Sequence, residues 1–160
     1  MKKWMVALAI ALFGSSAAIG GELPTFPFTV SGTIIAAPCK INKDQLVTVE
    51  FGDVAIQAID GVRYEQDVPT SISCESTFTG DLSLSIKAES AGFGSNAAAT
   101  DNSDLAIQFT RNGEVVQLNQ LNDINWRNPL NLKAVPVINP SATPVAGEFK
   151  ASVTLLLGIQ

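Results

Sequence analysis

Residues 148–160, EFKASVTLLLGIQ, decide the fold. Phe149, Ala151, Val153, Leu155, Leu157 and Ile159 fall on one face of an extended chain, and Lys150, Ser152, Thr154, Leu156, Gly158 and Gln160 on the other. Successive side chains of a strand point to opposite sides of a sheet, so alternation with period two predicts a half-buried strand rather than a helix.

Working outward, a second alternating run lies near the other end of the sequence. Phe26, Phe28, Val30, Gly32 and Ile34 share one face, with Pro27, Thr29, Ser31 and Thr33 between them. Pro24 and Pro27 have no N–H to give a ladder, so the first half of this run belongs at an edge or outside the domain. Between the two runs, shorter strands are expected at 45–51, 68–75, 81–87, 105–110, 114–119 and 130–138. Arg111-Asn112-Gly113-Glu114 reads as a hairpin, because Asn-Gly tolerates the positive φ angles of a type I′ turn. Asp60-Gly61, Thr79-Gly80-Asp81 and the stretches 92–103 and 139–147 read as turns or loops from their Gly, Pro, Asn and Ser content. No segment after Gly20 has a helical period. The expected class is all-β, an immunoglobulin-like sandwich in one domain, a size that buries a substantial core.

The first twenty residues read as an address. Lys2 and Lys3 precede an apolar run from Trp4 to Phe13, followed by small residues from Ser15 to Gly20. The run is too short to span a bilayer and has the pattern of a signal peptide, with cleavage after Ala18 or Gly20. Losing Lys2 and Lys3 with that leader takes the formal charge from −5 to −7, which disfavours nucleic acid and anionic membranes as partners. Only two cysteines occur, Cys39 and Cys74. In an oxidising compartment, without C-x-x-C spacing, they imply one intramolecular disulfide rather than a redox or zinc site.

Chemistry is scarce. The chain has no histidine, which removes the commonest general base and metal ligand, so no catalytic residue, metal or cofactor is assigned and an enzyme is not expected. Asp53 with Asp60, or Asp101 with Asp104, could pair for acid–base work or calcium, but they sit in turn-like surroundings and read as solvated loops. Trp126 and Tyr64 read as packing aromatics. The glycines at 92, 94 and 113 lack the strand, loop and helix order of a phosphate cradle.

Val30-Ser31-Gly32-Thr33-Ile34-Ile35-Ala36-Ala37-Pro38-Cys39 resembles the first strand of chaperone–usher pilins of the type 1 and P pilus kind, where an apolar-x-Gly-x-apolar stretch leads to the first cysteine. Val49-Glu50-Phe51-Gly52-Asp53-Val54, the strand ending in Cys74, and a C-terminal strand entered through Gly147 agree in order with that family. The resemblance covers essentially the whole chain after the leader. It implies an incomplete immunoglobulin-like sandwich over 30–160 that lacks its seventh strand, and an N-terminal extension at 21–36. It further implies completion by strand addition, first by a periplasmic chaperone and then by the extension of a neighbouring subunit, with assembly at an outer-membrane usher.

Carried over by position, the donor strand would be Phe26, Phe28, Val30, Gly32 and Ile34. The acceptor groove would be formed by Gly147, Phe149, Ala151, Val153, Leu155, Leu157 and Ile159. Periodicity alone leaves open that these are two ordinary core strands of a complete sandwich. Ile159 stands where family members usually carry an aromatic, and the prolines depart from the commoner extension, which suits a minor tip or adaptor subunit. The function implied is a structural subunit of a fimbrium, exported through the periplasm to the cell surface and contributing to cell adhesion. The alternative is a self-contained carbohydrate-binding sandwich of the adhesin type.

Overall fold

The computed structural model describes Ser31 and residues 37–94 and 96–160. The leader, both cleavage positions and the donor-strand residues Phe26, Phe28, Val30, Gly32 and Ile34 lie outside the described residues. The chain divides into two units, Met1–Ile35 and Ala36–Gln160, and the architecture below is that of the second.

That unit is all-β. In chain order the strands are β1 (Cys39–Ile41), β2 (Gln66–Asp67), β3 (Ile72–Cys74), β4 (Leu82–Lys87), β5 (Ala97–Ala99), β6 (Leu105–Arg111), β7 (Glu114–Val115), β8 (Asn122–Ile124), β9 (Leu132–Ile138) and β10 (Thr154–Ile159). They form a β1–β3 pair, a sheet ordered β10-β4-β8, and a sheet ordered β2-β9-β6-β5 with β7 on β6; every pairing is antiparallel. The two larger sheets face each other. Ile86 of β4 meets Ile107 and Phe109 of β6 and Leu132 and Ala134 of β9 in one core cluster, with Ala98, Val116 and Leu118. Antiparallel sheets with one face in the core are what alternating apolar residues produce.

Two strands are buried on both faces. In β4, Leu82, Leu84 and Ile86 alternate with Ser83 and Ser85, and all five are buried. In β6, Ala106 turns away from the main core and packs with Ala91, Ala97, Phe93 and Val137 in a second, small cluster. At the edge of the β2–β9 pair, the Lys133 ammonium donates to the Glu65 carboxylate at 2.8 Å, and the Thr110 hydroxyl donates to the same group at 3.2 Å. The Lys133 hydrogen bond holds the Glu65 carboxyl below its usual range, with Thr110 adding to the effect against the cost of desolvation.

The hairpin at Asn112-Gly113 forms as its sequence requires, with φ of 52° and 85° and Arg111 opposite Glu114. Strands expected at 81–87, 105–110 and 130–138 appear within a residue or two. Elsewhere the ladders are shorter than the alternation suggests. The segment expected as a strand at 45–51 has no ladder partner among the described residues. Of residues 68–75 only Ile72–Cys74 pair, as β3; Val68 donates to Leu132 O just past β2, and Pro69, which has no N–H, ends that ladder. The 114–119 strand stops after Val115. Beyond it the Asn96 amide substitutes for a ladder, donating to Val116 O at 2.7 Å and accepting from Leu118 N at 3.0 Å.

Candidate functional site

An extensive concave feature is built by two segments that lack ladder partners among the described residues. The first begins where β1 ends. Asn42, Lys43 and Asp44 turn left-handed at φ of 49°, 53° and 61°, a conformation that short polar side chains tolerate best. Asn42 pins the turn to the loop before β3: its Nδ2 donates to Pro69 O at 2.9 Å and its Oδ1 accepts from Ser71 N at 2.8 Å. From there residues 45–55 run without a ladder. Val47, Val49 and Phe51 turn inward and are half-buried, while Leu46, Thr48 and Glu50 are exposed. Leu46 is 96% exposed, a large apolar side chain left in water. The segment ends at a short turn over Ile56–Ala58, where Ala55 N donates to the Tyr64 hydroxyl at 3.2 Å.

The second segment is the approach to β10. Asn102 Nδ2 donates to Val145 O at 2.9 Å, and Asp101 brackets Lys150, accepting from its N–H at 2.8 Å and donating its own N–H to Lys150 O at 3.1 Å. Pairing with β4 starts only at Thr154 opposite Lys87. Residues 145–153 therefore run as a second rim, held from outside by Asn102 and Asp101 rather than by a sheet. Between the rims lies an open groove of about 1790 Å³. Its floor is apolar, made by Val68, Leu105, Ile107, Phe109 and Ala134. Phe51 and Phe149 meet across it with ring centroids 5.9 Å apart, both packed against the main core.

Such an arrangement has a definite chemical appetite. Each rim presents backbone donors and acceptors without a ladder partner among the described residues, and the floor presents core side chains. Unpaired edge groups beside an apolar surface are satisfied together by an added strand with alternating apolar residues.

Gly147, Phe149, Ala151, Val153 and Leu155 line the groove, with Ala151 exposed and the side chains of Phe149, Val153 and Leu155 against the core. Leu157 and Ile159 lie past its end, opposite Leu84 and Leu82 of β4, and Ile159 is 53% exposed. Cys39 and Cys74 form the disulfide, facing each other across β1 and β3 next to the first rim. Trp126 is half-buried and donates Nε1–H to Gly80 O at 3.2 Å. Phe78 packs at 5.7 Å from it and the Arg127 guanidinium lies 4.4 Å from its ring centre. Asp60 caps its own turn, accepting from Arg63 N at 2.6 Å and Val62 N at 3.0 Å, which lowers its pKa. Sequence places 45–51 in a strand but not in the groove, and assigns none of the floor residues of β6 and β9 to it; the alternation Val47, Val49, Phe51 is the available signal.

The fimbrial protein family matches the chain over residues 28–160. The uncharacterized fimbrial-like protein YfcR of Escherichia coli K12 is 31% identical over 128 residues, spanning 77% of this chain and 74% of that protein. The minor fimbrial protein PrsF of Escherichia coli is 29% identical over 97 residues, 61% of this chain and 56% of that one. Among solved structures, the P pilus rod subunit PapA superposes with a TM-score of 0.64 at 19% identity, covering 84% of this chain and 99% of PapA. The P pilus adaptor subunit PapF gives 0.59 at 24% identity, over 78% and 97%. A disulfide-bonded β-sandwich with this sequence kinship belongs to the fimbrial protein family.

Proposed function

We propose that the chain is a structural, non-enzymatic subunit that assembles by giving and receiving a strand. The open groove between residues 45–55 and 145–155 receives an extended segment, and residues 21–36 of the chain, with Phe26, Phe28, Val30, Gly32 and Ile34 inward, provide one to a neighbour. The observation that carries this reading is the groove itself: an apolar floor between two rims, 45–55 and 145–153, that have no ladder partner among the described residues. Length supports it. Eleven extended residues span about 33 Å from first to last, and a nine-residue donor face from Phe26 to Ile34 needs roughly 26 Å.

On this reading a periplasmic chaperone fills the groove before assembly, an outer-membrane usher exchanges it for a neighbouring subunit's extension, and the product is a surface fimbrium that contributes to adhesion. Likeness to a protein named as a minor fimbrial component, together with Ile159 in place of an aromatic, supports a minor subunit. The test is refolding of the mature chain with its disulfide intact. Alone it should remain unstable and aggregate, and it should become soluble and cooperative when a peptide of residues 21–36 or the chaperone is supplied. A stable, reversibly folding monomer that ignores both would overturn strand donation and favour a self-contained binding sandwich.

A further inference from the structure

We propose that Glu50 and Lys150 close as an ion pair over the inserted strand. This clasp fits a strand with a short, uncharged outward residue, which the extension of another copy of this chain supplies. The proposal rests on the strand-donation reading and adds to it two positioning residues and a partner. β1 lies beside β10 at one end of the groove, and Phe51 meets Phe149 further along it, so the two rims run antiparallel. Glu50 is therefore level with Lys150, each next to its half-buried phenylalanine, and both are exposed on the solvent side. Lys150 is the one cation among the described residues that line the groove. Of the other lining carboxylates, Asp44 is engaged by Lys40 at 2.8 Å, while Asp53 and Glu148 fall level with Gly147 and Gly52. Among the described residues neither Glu50 nor Lys150 forms an ion pair.

The main chain of Lys150 is fixed from outside, its N–H donating to Asp101 Oδ1 at 2.8 Å and its carbonyl accepting from Asp101 N at 3.1 Å. Ordering the clasp at that end therefore costs side-chain freedom alone. A strand between the rims lies about 4.8 Å from each, which puts the two rim main chains about 9.6 Å apart. The combined reach of a glutamate and a lysine side chain exceeds that separation, so the charges meet above the strand wherever its outward residue is short. A bulky outward residue stands between them, and a charged one attracts one partner while repelling the other. The outward positions of the chain's own extension are Pro27, Thr29, Ser31 and Thr33, all short and uncharged.

The experiment dilutes the mature, disulfide-intact chain from denaturant into a peptide of residues 21–36. The readout is the peptide concentration giving half recovery of folded protein, followed by Trp126 fluorescence. At low salt Glu50→Gln and Lys150→Gln should each raise that concentration about two- to five-fold, and the double variant no further than either single. The charge swap, Glu50→Lys with Lys150→Glu, should return it to within about twofold of the parent value, and high salt should erase the differences. Among peptides carrying Pro27→Tyr, Thr29→Tyr, Ser31→Tyr or Thr33→Tyr, one should lose the coupling between Glu50 and Lys150. Additive single effects, unchanged or lower concentrations in the variants, or coupling that survives all four tyrosine peptides overturn the clasp while leaving strand donation standing. Failure of the unmodified peptide to fold the parent chain removes both.

Discussion

Gly158 and Ser83 make a test of how closely β10 and β4 approach. The two residues are register partners across the ladder. A Cβ at Gly158 would lie 2.6 Å from Ser83 Oγ and 3.4 Å from Leu121 Cδ2, with Ser83 Cβ next at 4.0 Å. Ser83 is 1% exposed, so its hydroxyl has no open space to turn into. Gly158→Ala should therefore destabilise by about 1–3 kcal/mol, the usual cost of overpacking a tight site. The native interaction from Ser83 Oγ to Gly158 O is long at 3.5 Å, so Ser83→Ala alone should change stability by only a few tenths of a kcal/mol. In the Ser83→Ala background the sole contact below 3.0 Å disappears, leaving Leu121 at an accommodating distance. The double variant should recover about 1–2 kcal/mol relative to additivity. The assay is equilibrium urea unfolding of the chain complemented with a donor peptide and with the disulfide intact. Additive costs within about 0.5 kcal/mol, or a neutral Gly158→Ala, would refute the argument that backbone approach at this pair requires glycine.

Two further outcomes follow from the covalent and ionic ties. Cys39→Ser with Cys74→Ser opens a loop with a sequence separation of 35 and should cost roughly 3–4 kcal/mol in the same unfolding assay, with a lowered midpoint and a loss of recovery on refolding. Glu65 has its folded pKa depressed by Lys133, so its contribution to stability is present above the ordinary glutamate value of about 4.3 and is lost as pH falls through the lowered folded value. Urea midpoints followed from about pH 6 to about pH 2 should show a smaller acid-side decline in Lys133→Met than in the parent, and an identical decline would exclude the pair as a source.

The sequence made the apolar face of the last strand legible because Val153, Leu155 and Leu157 obey one period over the whole run, and the buried face of β4 for the same reason. Its outer face was not legible, since Ser83 and Ser85 look solvent-facing yet are buried, with β10 and β8 paired on either side of β4. Alternation also promised more ladder than exists. Val47, Val49 and Phe51 carry the pattern of a paired strand, but periodicity reports which side of a segment is apolar and is silent about whether its backbone has a neighbour. β5 escaped notice because three alanines in a Gly- and Asn-rich stretch have little strand propensity, and they pair only because Ala98 and Ala97 fill tight spaces on the two faces of the sheet. β8, Asn-Asp-Ile, is strand by position rather than composition, held by Leu84 and Ser83 opposite it.

The same distinction between an apolar side and a paired backbone explains why the candidate site is a groove and not a cleft around particular side chains. Closing the rims directly on each other is opposed by the phenylalanines already in contact beneath them at 5.9 Å and by the external ties of Lys150 to Asp101 and of Asn42 to Ser71. The strands that could lend an edge are committed: β4 lies between β10 and β8, and β6 and β9 lie inside their sheet. An inserted strand solves both deficits at once, because its two edges pair with the two rims while alternate side chains cover Ile107, Phe109 and Val68. Neither deficit is met by water alone, since hydration satisfies the backbone but leaves the floor exposed. An apolar ligand without a backbone covers the floor but leaves the rims unpaired. On the proposed reading the occupant that satisfies the whole surface is polypeptide, extended and alternating, a pattern the sequence carries between Phe26 and Ile34.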